Sequence, residues 1–261
     1  MASLTFISTI LAHEGVEKDE ADAGAYIGGS ARRSRISARQ VMVRITVFGA
    51  TGRSGGEIVR AARERGHAVT AHARRPPEVA EPGVDWASGE AGEAVIGSDA
   101  VLVAFGPRPP SEAPFCAADT GKILAGMARH GVNRLVCVTG AMVGDYPRNR
   151  TRVFQCLAAW IQRRYPELME DRARQEALIR ASGVNWTIFK PPRLRDGKPG
   201  GGVEVGAGVR AGLLSSISRM DLARTMVEEA EHGKFTRQCV FVKSGIRAWA
   251  RVWRSRAVAE R

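Results

Sequence analysis

Short apolar runs alternate with longer amphipathic segments from residue 43 onward. Six runs are apolar or β-branched almost throughout and predict strands: 44–48, 68–73, 100–105, 134–139, 186–190 and 239–242. Four longer segments carry apolar residues at helical spacing and predict helices: 55–65, 120–130, 170–181 and 221–231. Strands without a polar face are typical of parallel sheets covered by helices on both sides. The pattern predicts a doubly wound α/β fold over residues 43–242.

Two flanking segments lack this alternation. Residues 1–42 are rich in Ala, Gly, Ser and charged side chains, and Met42 stands directly before the first predicted strand. We expect a disordered extension there, or a start codon assigned too early. Residues 243–261 form a basic tail in which Trp249 and Trp253 lie among arginines. This tail is a candidate for contact with a membrane surface or a partner protein, with docking on the domain itself as the alternative.

Composition fits a soluble globular chain that binds a small anionic molecule. The net charge is +12, of which the tail holds +5 (six basic residues against Glu260). No helix-turn-helix or RNA-binding signature accompanies this charge, so a specific nucleic-acid partner is not expected. The four scattered cysteines give no metal or disulfide spacing, and no apolar run reaches the ~20 residues of a membrane span. We expect a cytoplasmic protein without a metal site, as a monomer or small homo-oligomer.

The most specific motif joins the first predicted strand to the first predicted helix. Gly49, Gly52 and Gly55 have the spacing Gly-x-x-Gly-x-x-Gly, with the hydroxyls of Thr51 and Ser54 between them. Glycines at such a turn let the backbone approach a pyrophosphate closely, and the helix N-terminus stabilises the negative charge. The motif predicts a dinucleotide-binding site, and an ordinary glycine-rich loop is the alternative.

Two arginines end the second predicted strand. This position, about 20 residues beyond the glycines, holds an acid in proteins that bond the ribose 2′-hydroxyl of NAD. Arg74 and Arg75 stand there instead, and guanidinium groups bind phosphate through paired hydrogen bonds. We therefore expect NADP(H) as the cofactor. A solvated turn before two prolines is the alternative interpretation.

The glycine spacing resembles the short-chain dehydrogenase/reductase superfamily in its extended and atypical branches. Most members of that superfamily use a Tyr-x-x-x-Lys pair as proton donor and orienting residue. The three tyrosines here are followed four positions later by other residue types: Tyr26 by Ser30, Tyr146 by Arg150 and Tyr165 by Met169. The sequence therefore lacks the usual catalytic pair.

Three later motifs, at 134–141, 171–194 and 217–223, follow in an order that strengthens the resemblance. They resemble the atypical NAD(P)H-binding family that includes biliverdin reductase B, which is also called flavin reductase. The resemblance implies a Rossmann-type domain and a set of cofactor contacts. These are Thr51, Gly52, Arg53 and Ser54 on the phosphates, Arg74 on the 2′-phosphate, Phe105 and Gly106 along the cofactor, Arg108 near the phosphates, Thr139 beside the nicotinamide, and Pro191 and Pro192 against its ring.

Two positions depart from that family's pattern. Gly140 stands where biliverdin reductase B has a serine, and Glu176 stands where it has a histidine. If the reaction needs a proton donor, Thr139 is the candidate catalytic residue, and Asp171 and Glu176 are further candidates. We interpret Asp171 and Glu176 as a helix-terminal charge and an exposed helix face, since acids in a first turn stabilise a helix by ~0.3–1 kcal/mol.

These observations lead to two functional hypotheses. The first is an NADPH-dependent reductase that transfers hydride to a small conjugated acceptor such as a flavin or quinone. The second is a non-catalytic NADP(H)-sensing regulator or scaffold of the NmrA-like type, which the missing Tyr–Lys pair and Gly140 favour. The glycine-rich stretch 196–212 is interpreted either as a lid over the substrate or as a flexible connection.

Overall fold

The computed structural model describes residues 26–27, 42–77, 82–106, 113–200 and 202–245. Its strands are β1 (Tyr26–Ile27), β2 (Arg44–Phe48), β3 (Ala68–His72), β4 (Asp85–Ala87), β5 (Ala100–Val103), β6 (Arg134–Val138), β7 (Asn185–Lys190), β8 (Arg193–Arg195), β9 (Val203–Gly206), β10 (Ser216–Ser218) and β11 (Gln238–Ser244). Its helices are α1 (Arg53–Glu64), α2 (Cys116–Arg129), α3 (Arg152–Arg164), α4 (Pro166–Ala181) and α5 (Arg219–His232). All six predicted strands and all four predicted helices are present.

Nine strands form one sheet in the order β4-β3-β2-β5-β6-β7-β11-β9-β1. The seven strands from β4 to β11 in this row are parallel, β9 is antiparallel to β11, and β1 is antiparallel to β9. The chain builds outward from β2 in one direction through β4, then returns to add β5 on the other side of β2. This confirms the doubly wound fold that the apolar strands predicted.

Helices cover both faces of the sheet. α1 packs beside α5 on one face, and α2 packs beside α4 on the other. Each layer closes over its own apolar core: one contains Ile58 and Met226, and the other contains Ile123 and Ile179. Burial of each such side chain contributes roughly 1.5–3 kcal/mol, so the two layers fix the helix ends at the sheet edge where the site lies.

Several elements of the fold were not predicted from the sequence. Helix α3 is largely exposed and buries only Phe154 and Ala158. Strands β8 and β10 pair with each other in a separate two-stranded sheet. Strand β9 lies inside the glycine-rich stretch 196–212, and it joins the main sheet beside β11. Part of that stretch is therefore a sheet strand, whichever role its loops have.

The two flanking segments lie mostly outside the described residues. β1 falls within the predicted extension 1–42 and pairs with β9. β11 continues to Ser244, two residues into the predicted tail 243–261. No helix in the described part of the chain has an apolar stretch long enough to cross a membrane.

Candidate cofactor-binding site

A cleft of about 470 Å³ opens where the strand order reverses, between β2 and β5. Open α/β sheets bind their ligands at the carboxyl ends of the strands at such a point, and the volume is within the usual range for small-molecule sites. Nine residues that the sequence placed on a cofactor line it: Gly49, Thr51, Gly52, Arg53, Ser54, Arg74, Phe105, Gly106 and Thr139. The fold and the glycine motif therefore indicate the same cleft as the cofactor site.

The turn between β2 and α1 requires glycine at two positions. Gly49 has φ +78°, and a Cβ there would lie 2.9 Å from the backbone of Ala104. A Cβ on Gly55 would lie 2.0 Å from the carbonyl oxygen of Gly49, which accepts a hydrogen bond from the Gly52 N–H at 2.9 Å. The glycines therefore bring β5, the turn and α1 closer together than side chains allow.

The N-terminus of α1 adjoins this turn without a capping side chain. Its N-cap residue is Gly52, which has no side chain to cap the first N–H groups, and its first turn holds no acid. These N–H groups and the helix dipole suit an anion. Arg53 lies beside them with its guanidinium 3.2 Å from the Asp196 carboxylate and 73% of its side chain exposed. The turn thus fits a pyrophosphate, since it offers donors, open space and an exposed cation.

The two arginines after β3 differ in position. Arg74 lines the cleft, and its guanidinium carbon lies 5.5 Å from the centre of the Phe115 ring. Arg75 is exposed but does not line the cleft. Arg172, which sequence analysis did not single out, lines the cleft as well and donates to the Phe105 carbonyl at 3.0 Å. Arg108 lies outside the described residues.

Of the three residues predicted to contact the nicotinamide, only one lines the cleft. Thr139 directly follows β6 and lines the cleft. Pro191 and Pro192 follow β7 and are not part of the cleft lining, where Leu194 is found instead. The Pro191 carbonyl accepts a hydrogen bond from the Ala141 N–H at 2.8 Å. A contact between these prolines and a nicotinamide ring stays a prediction.

The interpretation of Glu176 as part of an exposed helix face was wrong. Glu176 is only 2% exposed, and its Oε1 atom accepts a hydrogen bond from Thr139 Oγ1 at 2.7 Å. Asp171 is not a first-turn charge either, because α4 begins five residues earlier, at Pro166. It caps α2 instead by accepting from the N–H groups of Cys116 and Ala117 at 2.8 and 3.0 Å.

Lys190 is the partner of Glu176 that sequence analysis missed. It ends β7, its side chain is fully buried, and its Nζ atom forms an ion pair with Glu176 Oε1. The ring centre of Tyr146 lies 4.4 Å from the same Nζ. Burial lowers the pKa of Lys190, and the Glu176 carboxylate opposes that effect. The sequence signal for this pair was a lysine at the end of an apolar strand, because a buried ammonium group needs a partner of opposite charge.

The glycine turn, the uncapped helix and the cleft at the reversal of strand order define a Rossmann-type dinucleotide-binding protein. Residues 49–233 match the model of a family described as NAD(P)H-binding. The chain therefore belongs to this NAD(P)H-binding family. The predicted family and the nicotinamide cofactor are confirmed, and the preference for NADP(H) stays a prediction.

Individual relatives cover most of the chain at low identity. The uncharacterised protein YwnB of Bacillus subtilis (strain 168) is 28% identical over 200 residues, which are 73% of this chain and 93% of YwnB. A proposed NADH-flavin reductase from Streptococcus pneumoniae TIGR4 is 23% identical with a TM-score of 0.63, covering 78% of this chain and 100% of its own. ChuY of Escherichia coli O157:H7, described as an anaerobilin reductase, is 16% identical with a TM-score of 0.63, covering 78% and 98%. At these identities the two solved structures share the fold.

Proposed function

We propose that this protein is an NADPH-dependent reductase that transfers hydride to a small conjugated acceptor such as a flavin or quinone. The observation that carries the proposal is the cleft itself. It joins a glycine turn suited to a pyrophosphate with Arg74 on one side and Thr139 on the other. When bound, the reduced nicotinamide would supply the hydride, and the protein would hold, orient and shield it.

Different residues of the cleft would bind different parts of the cofactor. The backbone around Gly49 and Gly52 would approach the pyrophosphate, with Thr51 and Ser54 as hydroxyl donors and Arg53 as the nearby cation. Arg74 would bind the 2′-phosphate, because its guanidinium is exposed at the cleft wall. The small-molecule acceptor would enter the same cleft beside Thr139.

Two solved relatives are described as reductases, one of flavin and one of anaerobilin, and both acceptors are extended conjugated molecules. Such acceptors delocalise the charge that hydride transfer creates, so a Tyr–Lys pair is less necessary. This supports a reductase over the NADP(H)-sensing regulator. We place the enzyme in the cytoplasm, where NADPH is available.

The test is a fluorescence titration of the purified protein with NADPH and NADH, followed by NADPH oxidation assays with FMN, a quinone and biliverdin. We expect tighter binding of NADPH and turnover of at least one acceptor. Tight binding without turnover of any acceptor would favour the regulator. Equal affinity for the two nucleotides would contradict the assignment of Arg74, and no binding would contradict the proposal as a whole.

A further inference from the structure

A polar cluster around the buried Glu176–Lys190 pair connects the cofactor cleft with a second cavity. The cluster is defined here as Thr139, Tyr146, Glu176, Arg180 and Lys190. Thr139 lines the cofactor cleft, whereas Tyr146, Glu176 and Arg180 line the second cavity, of about 270 Å³. A single carboxylate, that of Glu176, therefore stands between the two openings.

The two oxygens of Glu176 serve different sides of the cluster. Oε1 accepts from Thr139 Oγ1 at 2.7 Å and from the Lys190 ammonium. Oε2 accepts from the Tyr146 hydroxyl at 3.1 Å and from the Arg180 guanidinium at 3.0 Å. Arg180 is 45% exposed in its side chain, so this end of the cluster reaches water, while Lys190 is fully buried. Neighbouring groups in the cluster are therefore close enough for a proton to pass between them.

This arrangement is not what stability alone selects. Burying two charges is costly, and an apolar pair of similar size is often as stable as a buried ion pair. Arg134 and Glu229 form another buried pair, 2.7 Å apart, but neither lines the cofactor cleft or the second cavity. The Glu176 pair differs because it touches a hydroxyl at the wall of the cofactor cleft. A pair in that place has an evident chemical use.

We propose that Thr139, Lys190 and Glu176 form a proton relay that carries protons from the second cavity to the acceptor reduced in the cofactor cleft. The inference rests on the proposed reductase function. When bound, the reduced nicotinamide would supply hydride, which is two electrons and one proton equivalent, and the reduced acceptor would need one more proton. The Thr139 hydroxyl turns from Glu176 Oε1 toward the acceptor and its O–H bond breaks to supply this proton. A proton from Lys190 Nζ, 3.5 Å away, restores the hydroxyl.

Neutral Lys190 then recovers its proton through Glu176. The carboxylate accepts a solvent proton at the oxygen that faces Tyr146 and Arg180, and after the carboxyl group turns it donates this proton to the amine. The cycle consumes one reduced nicotinamide, one solvent proton and one acceptor. It returns the protein unchanged. Thr139 is the catalytic residue of this scheme, and Lys190 and Glu176 act through it.

The main kinetic test compares Thr139→Val with Thr139→Ser. Valine has nearly the shape of threonine but no hydroxyl, so we expect kcat to fall by ~100-fold, a far larger effect than that on the Kd for NADPH. Serine keeps the hydroxyl and should restore most of kcat. Wild-type kcat should fall as pH rises through the lowered pKa of Lys190. Glu176, Cys239 and Arg150 act on that pKa, the Tyr146 ring lies against Nζ, and Arg180 bonds Glu176.

A second readout needs neither cofactor nor turnover. The chain has six lysines, so selective ¹³Cε-lysine labelling gives few signals, and Lys190→Met identifies the one of interest. We expect Lys190 to titrate below an ordinary lysine in the free protein. Glu176→Gln should lower its midpoint further, because an opposing charge is lost. Glu229→Gln, which alters the buried pair with Arg134, should leave the midpoint and kcat unchanged.

The outcomes separate the relay from the reductase. If the wild type turns over an acceptor and Thr139→Val does so at the same rate, the relay is wrong and the reductase stands. A Lys190 midpoint that Glu176→Gln does not move also overturns the relay, whatever the activity. If the wild type binds NADPH but reduces no acceptor, the reductase is wrong and the relay falls with it.

Discussion

At the residue scale, Gly55 and Gly121 both lie inside helices, but the space around them differs. A Cβ on Gly55 would meet the Gly49 carbonyl at 2.0 Å, whereas a Cβ on Gly121 would meet nothing within 4 Å outside its own helix. We expect Gly55→Ala to destabilise the fold by ~1–3 kcal/mol and to abolish NADPH binding. Gly121→Ala should instead stabilise it by ~0.5–1 kcal/mol and leave binding intact. Urea unfolding and NADPH titration check both, and a harmless Gly55→Ala would contradict the close packing of the turn.

The adjacent arginines offer a similar matched pair. Arg74 lines the cleft and Arg75 does not. A hydrogen bond to a charged group contributes roughly 1.5–3 kcal/mol, so Arg74→Ala should weaken NADPH binding about 10- to 100-fold and leave NADH binding nearly unchanged. Arg75→Ala should have a much smaller effect, since its side chain is solvated. Titrations of both variants with both nucleotides measure the difference. Equal losses for NADPH and NADH would show that Arg74 does not recognise the 2′-phosphate.

At the scale of elements, two glutamates form ion pairs between the α1 region and α5 in different surroundings. Glu231 bonds Arg65 and the buried His67 with its own side chain 10% exposed, while Glu64 and Arg224 are about half exposed. Burial raises the pKa of Glu231, but hydrogen bonds from Arg65 and His67 outweigh it and leave that pKa lowered. A lowered carboxyl pKa means that its stabilisation is complete above the unfolded pKa and is lost as pH falls through the folded pKa.

We therefore expect Glu231→Gln to cost ~1–3 kcal/mol at pH 7 and progressively less as the pH falls below the ordinary glutamate value. Glu64→Gln removes an exposed pair between the same parts of the fold and should cost at most ~1 kcal/mol at any pH. Urea unfolding between pH 7 and pH 3 measures both. A Glu231→Gln deficit that persists at pH 3 would rule out the charge of Glu231 as its source.

At the scale of the whole molecule, the sequence predicted what local pattern determines. The apolar strands gave the doubly wound sheet, and the glycine spacing placed the cofactor turn, because both signals lie within about a dozen consecutive residues. The environment of Glu176 depended on Thr139 and Lys190, which are distant in sequence and adjacent only across the folded sheet. Polarity alone suggested an exposed residue, and no local signal opposes that interpretation. For the same reason the missing Tyr-x-x-x-Lys pair gave no hint that Lys190 lies over the ring of Tyr146.

The buried Glu176–Lys190 pair has a consequence for laboratory evolution of this protein. Glu176→Leu alone leaves an ammonium without a counter-ion and should cost ~3–5 kcal/mol, whereas Glu176→Leu combined with Lys190→Met should be as stable as the wild type or up to ~4 kcal/mol more stable. A library randomised at these two positions and selected only for heat resistance should therefore converge on apolar pairs. Thermal melts and NADPH oxidation by the survivors check this, and recovery of Glu with Lys would contradict it. Selection for thermostability would then favour apolar residues at these two positions, and selection for turnover would favour the charged pair.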